Sequence, residues 1–341
     1  MTRLLQAMAG QSHGGAESFF ERLAIALDRA GETQRLVIRR DAARALRLRD
    51  AGLAVNEAPF GGLFDMGTRR VLRRAIADVR PEVVLSWMSR ASASCPRGDF
   101  VHVGRLGGYY ALKYYRRCDH LIANTRDIAA HIVRHGWSAS RVHYLPNFVT
   151  RGDAPPVPRA SLGTPDDAPL ALALGRFHRN KGFDVLMAAV ADVPRLHLWL
   201  AGAGEEQAAL EAQVSALGLE GRVHFLGWRQ DVPALLAACD LLVSSSRHEP
   251  LGNVVIEAWA AGVPVVATAS AGPRTLVCDG ASGLLVPIED AAALARAMKR
   301  VIADPGLAAA LAGGGRAAYE AEFAEARVVA LYRDFLAQVR R

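Results

Sequence analysis

The chain has 341 residues, 51% of them apolar and 22% charged, which suits two globular domains of ordinary size and excludes a disordered protein. No apolar run reaches the roughly eighteen residues of a membrane helix and the N-terminus leads straight into a short strand, so neither a span nor a signal peptide is expected. The formal charge of +7 divides unevenly: residues 1–150 carry 23 Arg and Lys against 13 Asp and Glu (+10), residues 151–341 carry 18 against 21 (−3).

A basic first half without interleaved aromatics admits peripheral contact with an anionic membrane or an acidic acceptor, and argues against nucleic acid as a partner. Composition offers a plainer account as well, because only Lys113, Lys181 and Lys299 are lysines and the chain simply favours Arg. Cys95, Cys118, Cys239 and Cys278 are scattered without metal-ligand spacing and read as free thiols of a reducing cytoplasm.

Residues 4–8 read as the first strand. They lead into Gly10-Gln11-Ser12-His13-Gly14-Gly15-Ala16-Glu17 and an amphipathic helix with Phe19, Phe20, Leu23, Ile25 and Leu27. Adjacent glycines there let the backbone approach a ligand and expose N–H donors, although the loop is neither a GxGxxG nor a P-loop. Strand signals at 35–39, 53–55, 83–87, 100–103 and 120–123 alternate with helices beginning near Asp41 and Thr68, which predicts a parallel sheet covered on both faces. The helix from Thr68 stacks Arg69, Arg70, Arg73, Arg74 and Arg80, several at i, i+3 and i+4 spacing. His102 is expected at the end of its strand, before a turn containing Gly104. Beyond it, Tyr109, Tyr110, Tyr114 and Tyr115 with Arg105, Lys113, Arg116 and Arg117 could line a site for a sugar or a lipid headgroup, or form an ordinary amphipathic helix.

Residues 151–167 hold Pro155, Pro156, Pro158, Pro165, Gly152 and Gly163, a density that predicts a linker. A strand at 170–174 then enters Gly175-Arg176-Phe177-His178-Arg179-Asn180-Lys181-Gly182 and a helix through Leu186 and Met187. Two fixed cations on such a loop, Arg176 and Lys181, can neutralise a diphosphate and stabilise it as a leaving group. The loop Ala201-Gly202-Ala203-Gly204-Glu205 follows a strand at 196–200, and its glycines are expected to permit close ligand approach. A strand at 240–244 precedes Arg247-His248-Glu249-Pro250-Leu251-Gly252-Asn253, and a helix at 254–261 follows. Strand, loop and helix N-terminus together favour an anion. Glu249 and Glu257 would repel phosphate and are better suited to accept hydrogen bonds from hydroxyls around it. A ligand with hydroxyls at both ends and phosphate between is a nucleotide-diphosphate sugar.

Glu249-Pro250-Leu251-Gly252-x4-Glu257-Ala258, together with Gly175-Arg176-x4-Lys181-Gly182, Leu145-Pro146-Asn147 and Gly14-Gly15-Ala16-Glu17, resembles the retaining GT-B glycosyltransferases of family four, the glycosyl transferases group 1. The chain is similar in particular to the sugar transferases of lipopolysaccharide and surface polysaccharide. The resemblance covers nearly all of the chain, most strongly 170–290. It implies an α/β fold of two Rossmann-like parallel-sheet domains facing each other across a cleft. Residues 1–148 would be the acceptor side, 149–168 a linker and 169–318 the donor-binding domain, with the helical end 319–341 packing back on the first.

By the same resemblance Glu257 would bind ribose hydroxyls and Glu249 sugar hydroxyls, with Arg176 and Lys181 on the diphosphate. Gly14, Gly15, Gly252 and Asn253 would offer backbone contacts to phosphate or sugar. His102 would lie close to the transferred sugar; His120 is its competitor, and a satisfied core histidine is the plain alternative. Membrane-associated relatives extend the reading to the arginine-rich helix, which a solvated face would explain equally well.

No D-x-D and no His/Cys cluster occurs, so neither a metal nor another cofactor is expected. The expected enzyme transfers a sugar, with retention and without an obvious general base, from a nucleotide-sugar donor to a glycan or lipid-linked acceptor. Its expected place is the cytoplasm, at or near the inner face of the membrane. A nucleotide-sugar 2-epimerase of the same fold would need further acidic and histidine residues, and a non-catalytic binding protein would not need Glu249, Arg176 and Lys181 together. A dinucleotide dehydrogenase is disfavoured because no GxGxxG with a following acid opens the chain.

Overall fold

Short apolar runs bounded by polar and turn residues build the strands. The computed structural model describes residues 2–11, 14–61 and 65–340, so Ser12 and His13 of the first glycine loop lie outside the described residues. Strands β1 (Arg3–Met8), β2 (Thr33–Arg39), β3 (Ala54–Ala58), β4 (Val83–Trp87), β5 (Val101–Leu106), β6 (His120–Ala123) and β7 (Val142–Tyr144) form one sheet in the order β3-β2-β1-β4-β5-β6-β7. A second sheet contains β8 (Leu170–Leu174), β9 (His197–Ala201), β10 (Val223–Gly227), β11 (Leu241–Ser244), β12 (Val265–Thr268) and β13 (Leu284–Val286), ordered β10-β9-β8-β11-β12-β13. Every neighbouring pair of strands is parallel.

Both faces of each sheet are buried, as parallel sheets require. Leu4 and Met8 of β1 join a cluster with Phe19, Phe20 and Trp87, while Leu5 and Ala7 point the other way into a cluster with Val37, Phe60 and Leu72. Ala171 and Ala173 of β8 enter one core of the second sheet, and Leu170, Leu172 and Leu174 the other. A buried polar chain crosses the first sheet: Trp87 donates to Gln6 at 2.9 Å, Gln6 to Gln34 at 2.7 Å, and Gln34 to the Ala24 carbonyl at 2.8 Å. Each member would cost about 1–3 kcal/mol if left unpaired, so the chain fixes which residues of β4, β1 and β2 stand beside one another.

The chain divides into two compact units, Met1–Phe148 with Glu325–Arg341, and Val149–Ala324. The proline-rich stretch 149–168, expected as a linker, is part of the second unit. Arg159 ties it down through the carbonyls of Ala238 (2.9 Å) and Ala168 (3.0 Å) and the carboxylate of Asp240 (2.7 Å), and the Val157 N–H donates to Ala234. The helical end is likewise divided. Tyr319–Phe323 stays with the second unit, its Tyr319 hydroxyl donating to the Val149 carbonyl at 2.9 Å. The helix Glu325–Val339 belongs to the first unit, where Val328, Tyr332, Phe335 and Leu336 join Phe19 and Phe148.

His102 does not close its strand. It is the second residue of β5, which continues through Gly104 to Leu106. Gly104 is an interior strand position rather than a turn, because a Cβ there would meet Tyr115, Cys118 and Leu121 at 3.0 Å or less. The imidazole is buried, with Nε2 2.9 Å from the Ser86 hydroxyl and 3.7 Å from the Cys118 thiol, at the amino end of the strand. Parallel-sheet ligands bind at the carboxyl ends, so the structure makes His102 a satisfied core histidine.

Burial pushes the His102 imidazole down to about 4. The unfolded chain therefore takes up that proton first as pH falls, and the stability this residue contributes is full above about pH 6.5 and lost progressively toward pH 4. The gap corresponds to about 3 kcal/mol. Thermal melts between pH 7 and pH 4 should show a steeper loss in the wild type than in His102→Gln, with the remaining slope due partly to His120, His143, His197 and His224, which burial also lowers. Parallel slopes in the two proteins would contradict this account.

Candidate active site

In the second sheet β8 and β11 are neighbours, yet β8 continues toward β9 on one side and β11 toward β12 on the other. Right-handed crossovers send their following helices to opposite faces, which leaves the two loops side by side beyond the carboxyl ends of the strands. One loop carries Gly175–Gly182 ahead of the helix Phe183–Ala191; the other carries Ser245–Gly252 ahead of the helix Asn253–Ala261. Backbone bonds join them: Arg247 and His248 N–H both donate to the Asn180 carbonyl, at 2.8 and 3.1 Å, and the Ser245 hydroxyl donates to the Lys181 carbonyl at 2.9 Å. Gly182 allows the approach, since its φ is +61° and a Cβ would stand 2.3 Å from the Ser245 oxygen.

The joint is clamped by Arg247, a residue to which sequence reasoning assigned no role. Its guanidinium forks onto Asp184 at 2.7 and 2.6 Å, donates to the Arg179 carbonyl at 2.9 Å, and pairs with Glu289. The hydrogen bonds to Asp184 and Glu289 push the Arg247 guanidinium up, and that from Arg247 holds the Asp184 carboxyl below its ordinary range. No short motif marks this residue, because Asp184 and Glu289 are distant from it in sequence.

Lys181 and Glu249 meet where the two loops touch. Lys181 Nζ lies 2.5 Å from Glu249 Oε2, with the side chains 23% and 15% exposed. The other carboxylate oxygen accepts from the Gly252 N–H at 3.3 Å. Arg176, on the same loop as Lys181, is exposed and makes no hydrogen bond or ion pair among the described residues. Gly252 caps the helix that Asn253 opens, and Glu257 is half-buried one turn further on. The structure thus gathers Arg176, Lys181, Glu249, Gly252, Asn253 and Glu257 at one edge of the second sheet. In the Gly202–Gly204 loop, a Cβ on Gly202 would stand 1.8 Å from the Gly175 oxygen and one on Gly204 2.3 Å from the Phe177 oxygen, so these glycines admit the neighbouring loop.

Gly14 and Gly15 lie in the first unit, where Gly14 precedes and Gly15 opens the helix Gly15–Arg29. The Glu17 carboxylate folds back over this loop and accepts the Gln11 N–H at 2.9 Å; a Cβ on Gly14 would be 2.3 Å from its Oε2. The first sheet reverses its order between β1 and β4, and a pocket of about 680 Å³ sits beside the ends of those strands. Gly10 and Gln11 after β1, and Met88, Ser89 and Arg90 after β4, line it, with Arg39, Arg69, Tyr110 and Tyr114. Of the tyrosine cluster, Tyr110 and Tyr114 reach this pocket, whereas Tyr115 is fully buried in a 3-10 turn, Leu112–Tyr115.

The profile of Glycosyltransferase Family 4 matches residues 13–151, and that of Glycosyl transferases group 1 matches residues 157–318. The chain is 39% identical over 333 residues to the lipopolysaccharide core biosynthesis glycosyltransferase LpsE of Rhizobium meliloti (strain 1021), covering 95% of this chain and 96% of that protein. LpsD of the same organism, also a lipopolysaccharide core biosynthesis glycosyltransferase, is 36% identical over 327 residues and covered to 95% on both sides. Among solved structures, Anabaena HepE in complex with UDP and glucose has a TM-score of 0.86 at 24% identity, over 99% of this chain and 100% of that one. That likeness concerns the fold, two Rossmann-like parallel-sheet units of the GT-B class. Matched along nearly its whole length by such relatives, the chain is a glycosyltransferase and belongs to the glycosyl transferases group 1.

Proposed function

We propose that the chain transfers a sugar from a nucleotide-diphosphate sugar to a glycan or lipid-linked acceptor, with retention of anomeric configuration and without a metal ion. The observation that carries this reading is the Lys181–Glu249 pair, with Arg176 on the same loop as Lys181 and without a partner among the described residues. An ammonium has three N–H donors, so one can stay on Glu249 while the others take phosphate oxygens. A carboxylate has about four acceptor sites, which leaves Glu249 able to receive sugar hydroxyls after Lys181 and Gly252 are served. Glu257 would receive the ribose hydroxyls. Backbone N–H groups at Gly252 and Asn253 add the positive end of a helix, and those of Gly14 and Gly15 are the corresponding donors of the first unit.

In the proposed step the anomeric carbon loses its bond to the diphosphate as the acceptor oxygen bonds to the same face. The departing phosphate oxygen takes the acceptor's proton, and Arg176 and Lys181 stabilise the charge that grows on it. Arg176 and Lys181 on the loop after β8 are the cationic side chains that would take the role of a metal ion on the diphosphate. The names of LpsE and LpsD support an acceptor in the lipopolysaccharide core, and work at the inner face of the cytoplasmic membrane is part of the same proposal. No helix among the described residues is long and apolar enough to cross a membrane.

Thermal melts against UDP-, GDP- and ADP-sugars test the donor. Ligand at about one hundred times its dissociation constant adds roughly 2.7 kcal/mol, a rise of a few degrees in a chain of this length. One nucleotide class should give that shift, Glu257→Ala should lose it, and EDTA should leave both the shift and turnover unchanged. Absence of a shift with all three would sink the donor reading, and a shift abolished by EDTA would sink metal independence. Lys181→Met should lower kcat by about 10²–10³-fold, the usual loss for one group that stabilises developing charge. A change confined to KM would mean that Lys181 only binds the ground state.

A further inference from the structure

The pocket at the β1/β4 reversal of the first sheet differs in charge from the second unit's site, where an acid and a base neutralise one another. We infer that the crevice formed by Arg39, Arg69, Arg90, Met88, Tyr110 and Tyr114 binds a sugar that carries an anionic group, a phosphate or a carboxylate, as the acceptor. The inference rests on the proposed glycan acceptor in naming the ligand's role; the preference for charge follows from the pocket itself.

Three guanidiniums line the crevice, and they come from three separate elements: Arg39 from the end of β2, Arg69 from the first turn of the helix Met66–Val79, and Arg90 from the helix that follows β4. Arg39 and Arg69 have no hydrogen-bond or ion-pair partner among the described residues, and Arg90 donates only to the Phe60 carbonyl, at 3.1 Å. Asp65 is the one acid among the described lining residues, which leaves three cations against a single carboxylate. That carboxylate is already engaged. It accepts from the Gly61 N–H at 2.6 Å, the Thr68 N–H at 2.9 Å and the Thr68 hydroxyl. Burial opposes its ionised form, but these donors together hold the Asp65 carboxyl below its ordinary range. It serves as a helix cap, and its single negative charge leaves a net balance of two cations among the described lining residues.

Arg70, Arg73 and Arg74 of the same helix are exposed, as Arg69 is, but do not line the crevice. Arg39, Arg69 and Arg90 instead converge on one concavity. Planar guanidiniums with N–H groups that meet no acceptor among the described residues are suited to the paired oxygens of phosphate or carboxylate. The remaining walls suit a sugar ring. Tyr110 and Tyr114 contribute aromatic side chains, and burial pushes the Tyr110 phenol up, so its hydroxyl remains a hydrogen-bond donor. Met88 closes the elbow between β4 and its helix at φ +67°, a conformation unusual for a side-chain-bearing residue and frequent at functional sites. The volume of about 680 Å³ lies within the range of ligand clefts, roughly 300–1,000 Å³.

The test is calorimetric binding to the full chain at fixed ionic strength. The probes are glucose 6-phosphate and mannose 6-phosphate, glucuronate and galacturonate, the neutral sugars glucose, mannose and galactose, and inorganic phosphate. At least one anionic sugar should bind about tenfold or more tightly than its neutral counterpart and than inorganic phosphate, as expected for charge-assisted pairing. The phosphate and carboxylate arms show which group is read. Arg39→Gln with Arg69→Gln should erase the preference, and Arg39→Lys should retain part of it. Circular dichroism melts establish that these variants fold. Equal affinity for neutral sugars, equal affinity for inorganic phosphate, a preference that survives in the double variant, or no binding by any anionic sugar would each overturn the inference. UDP binding is measured in the same samples: its absence would count against the donor reading and leave the charge preference of this pocket to stand or fall by itself.

Discussion

All strands in both sheets run parallel, and that constraint governs where chemistry can occur. A parallel sheet puts every strand's carboxyl end on one edge, and right-handed crossovers place consecutive helices on the same face until the strand order reverses. At the reversal two adjacent loops part to opposite faces and their backbone N–H groups face open space. The reversal falls between β1 and β4 in the first sheet and between β8 and β11 in the second. Cations stand at each reversal: Arg39, Arg69 and Arg90 at one, Arg176 and Lys181 at the other.

The two sites answer the problem of holding charge differently. At β8/β11 the loops are fixed by backbone hydrogen bonds and by the Arg247 fork, and only then do Lys181 and Glu249 meet. A lysine chain costs up to about 2 kcal/mol of rotamer entropy to immobilise, and its ion pair already holds it in place. Preorganisation of this kind lets a donor's phosphate meet a cation that need not be gathered from solvent. At β1/β4 the arginines have no acidic partner among the described residues, so further ordering of Arg39 and Arg69 belongs to ligand binding.

Much of the second site was legible because its residues sit in contiguous patterns. Gly175-Arg176-x4-Lys181-Gly182 and Glu249-Pro250-Leu251-Gly252-x4-Glu257 each span one loop and one helix start, so local spacing carries the geometry. The contact between Lys181 and Glu249 was less legible, since it follows from the β8/β11 neighbourhood 68 residues apart. His102 shows a different limit. An apolar strand with one histidine looks the same whether it stops after Val103 or continues, and Gly104 reads as a turn until Tyr115 and Cys118 are packed against it. The hydrogen bonds of the stretch 149–168 were illegible for a related reason: proline density describes what the backbone cannot donate, and says nothing of Arg159 gathering carbonyls around it. Arg39 and Arg90 were invisible, because in a chain where all but three of 41 basic residues are arginine no single arginine stands out.

The basic excess of the first half is therefore no uniform coat. Arg44 is inside, on Glu21 and the Gln11 carbonyl, and Arg105 is inside without any carboxylate. Arg105 is held by neutral acceptors, the Tyr332 hydroxyl at 2.9 Å and the Asn147 side chain, and lies over the rings of Phe19 and Trp87 at 4.7 and 4.4 Å. Cation–π contacts and two hydrogen bonds offset part of a desolvation cost that amounts to several kcal/mol. They leave the charge itself uncancelled, and it reaches Tyr110, where it draws the phenol down against the effect of burial. Tyr110 is a wall of the β1/β4 pocket. A positive charge fixed behind that wall, in a medium that screens it less than water does, adds to the potential that Arg39, Arg69 and Arg90 create in front of it, while the Glu17 carboxylate at the Gly10–Gln11 loop opposes it at Tyr110. The same guanidinium joins β5 to the helix Glu325–Val339, so the contact that secures the C-terminal helix on the first unit also contributes to the field in its pocket.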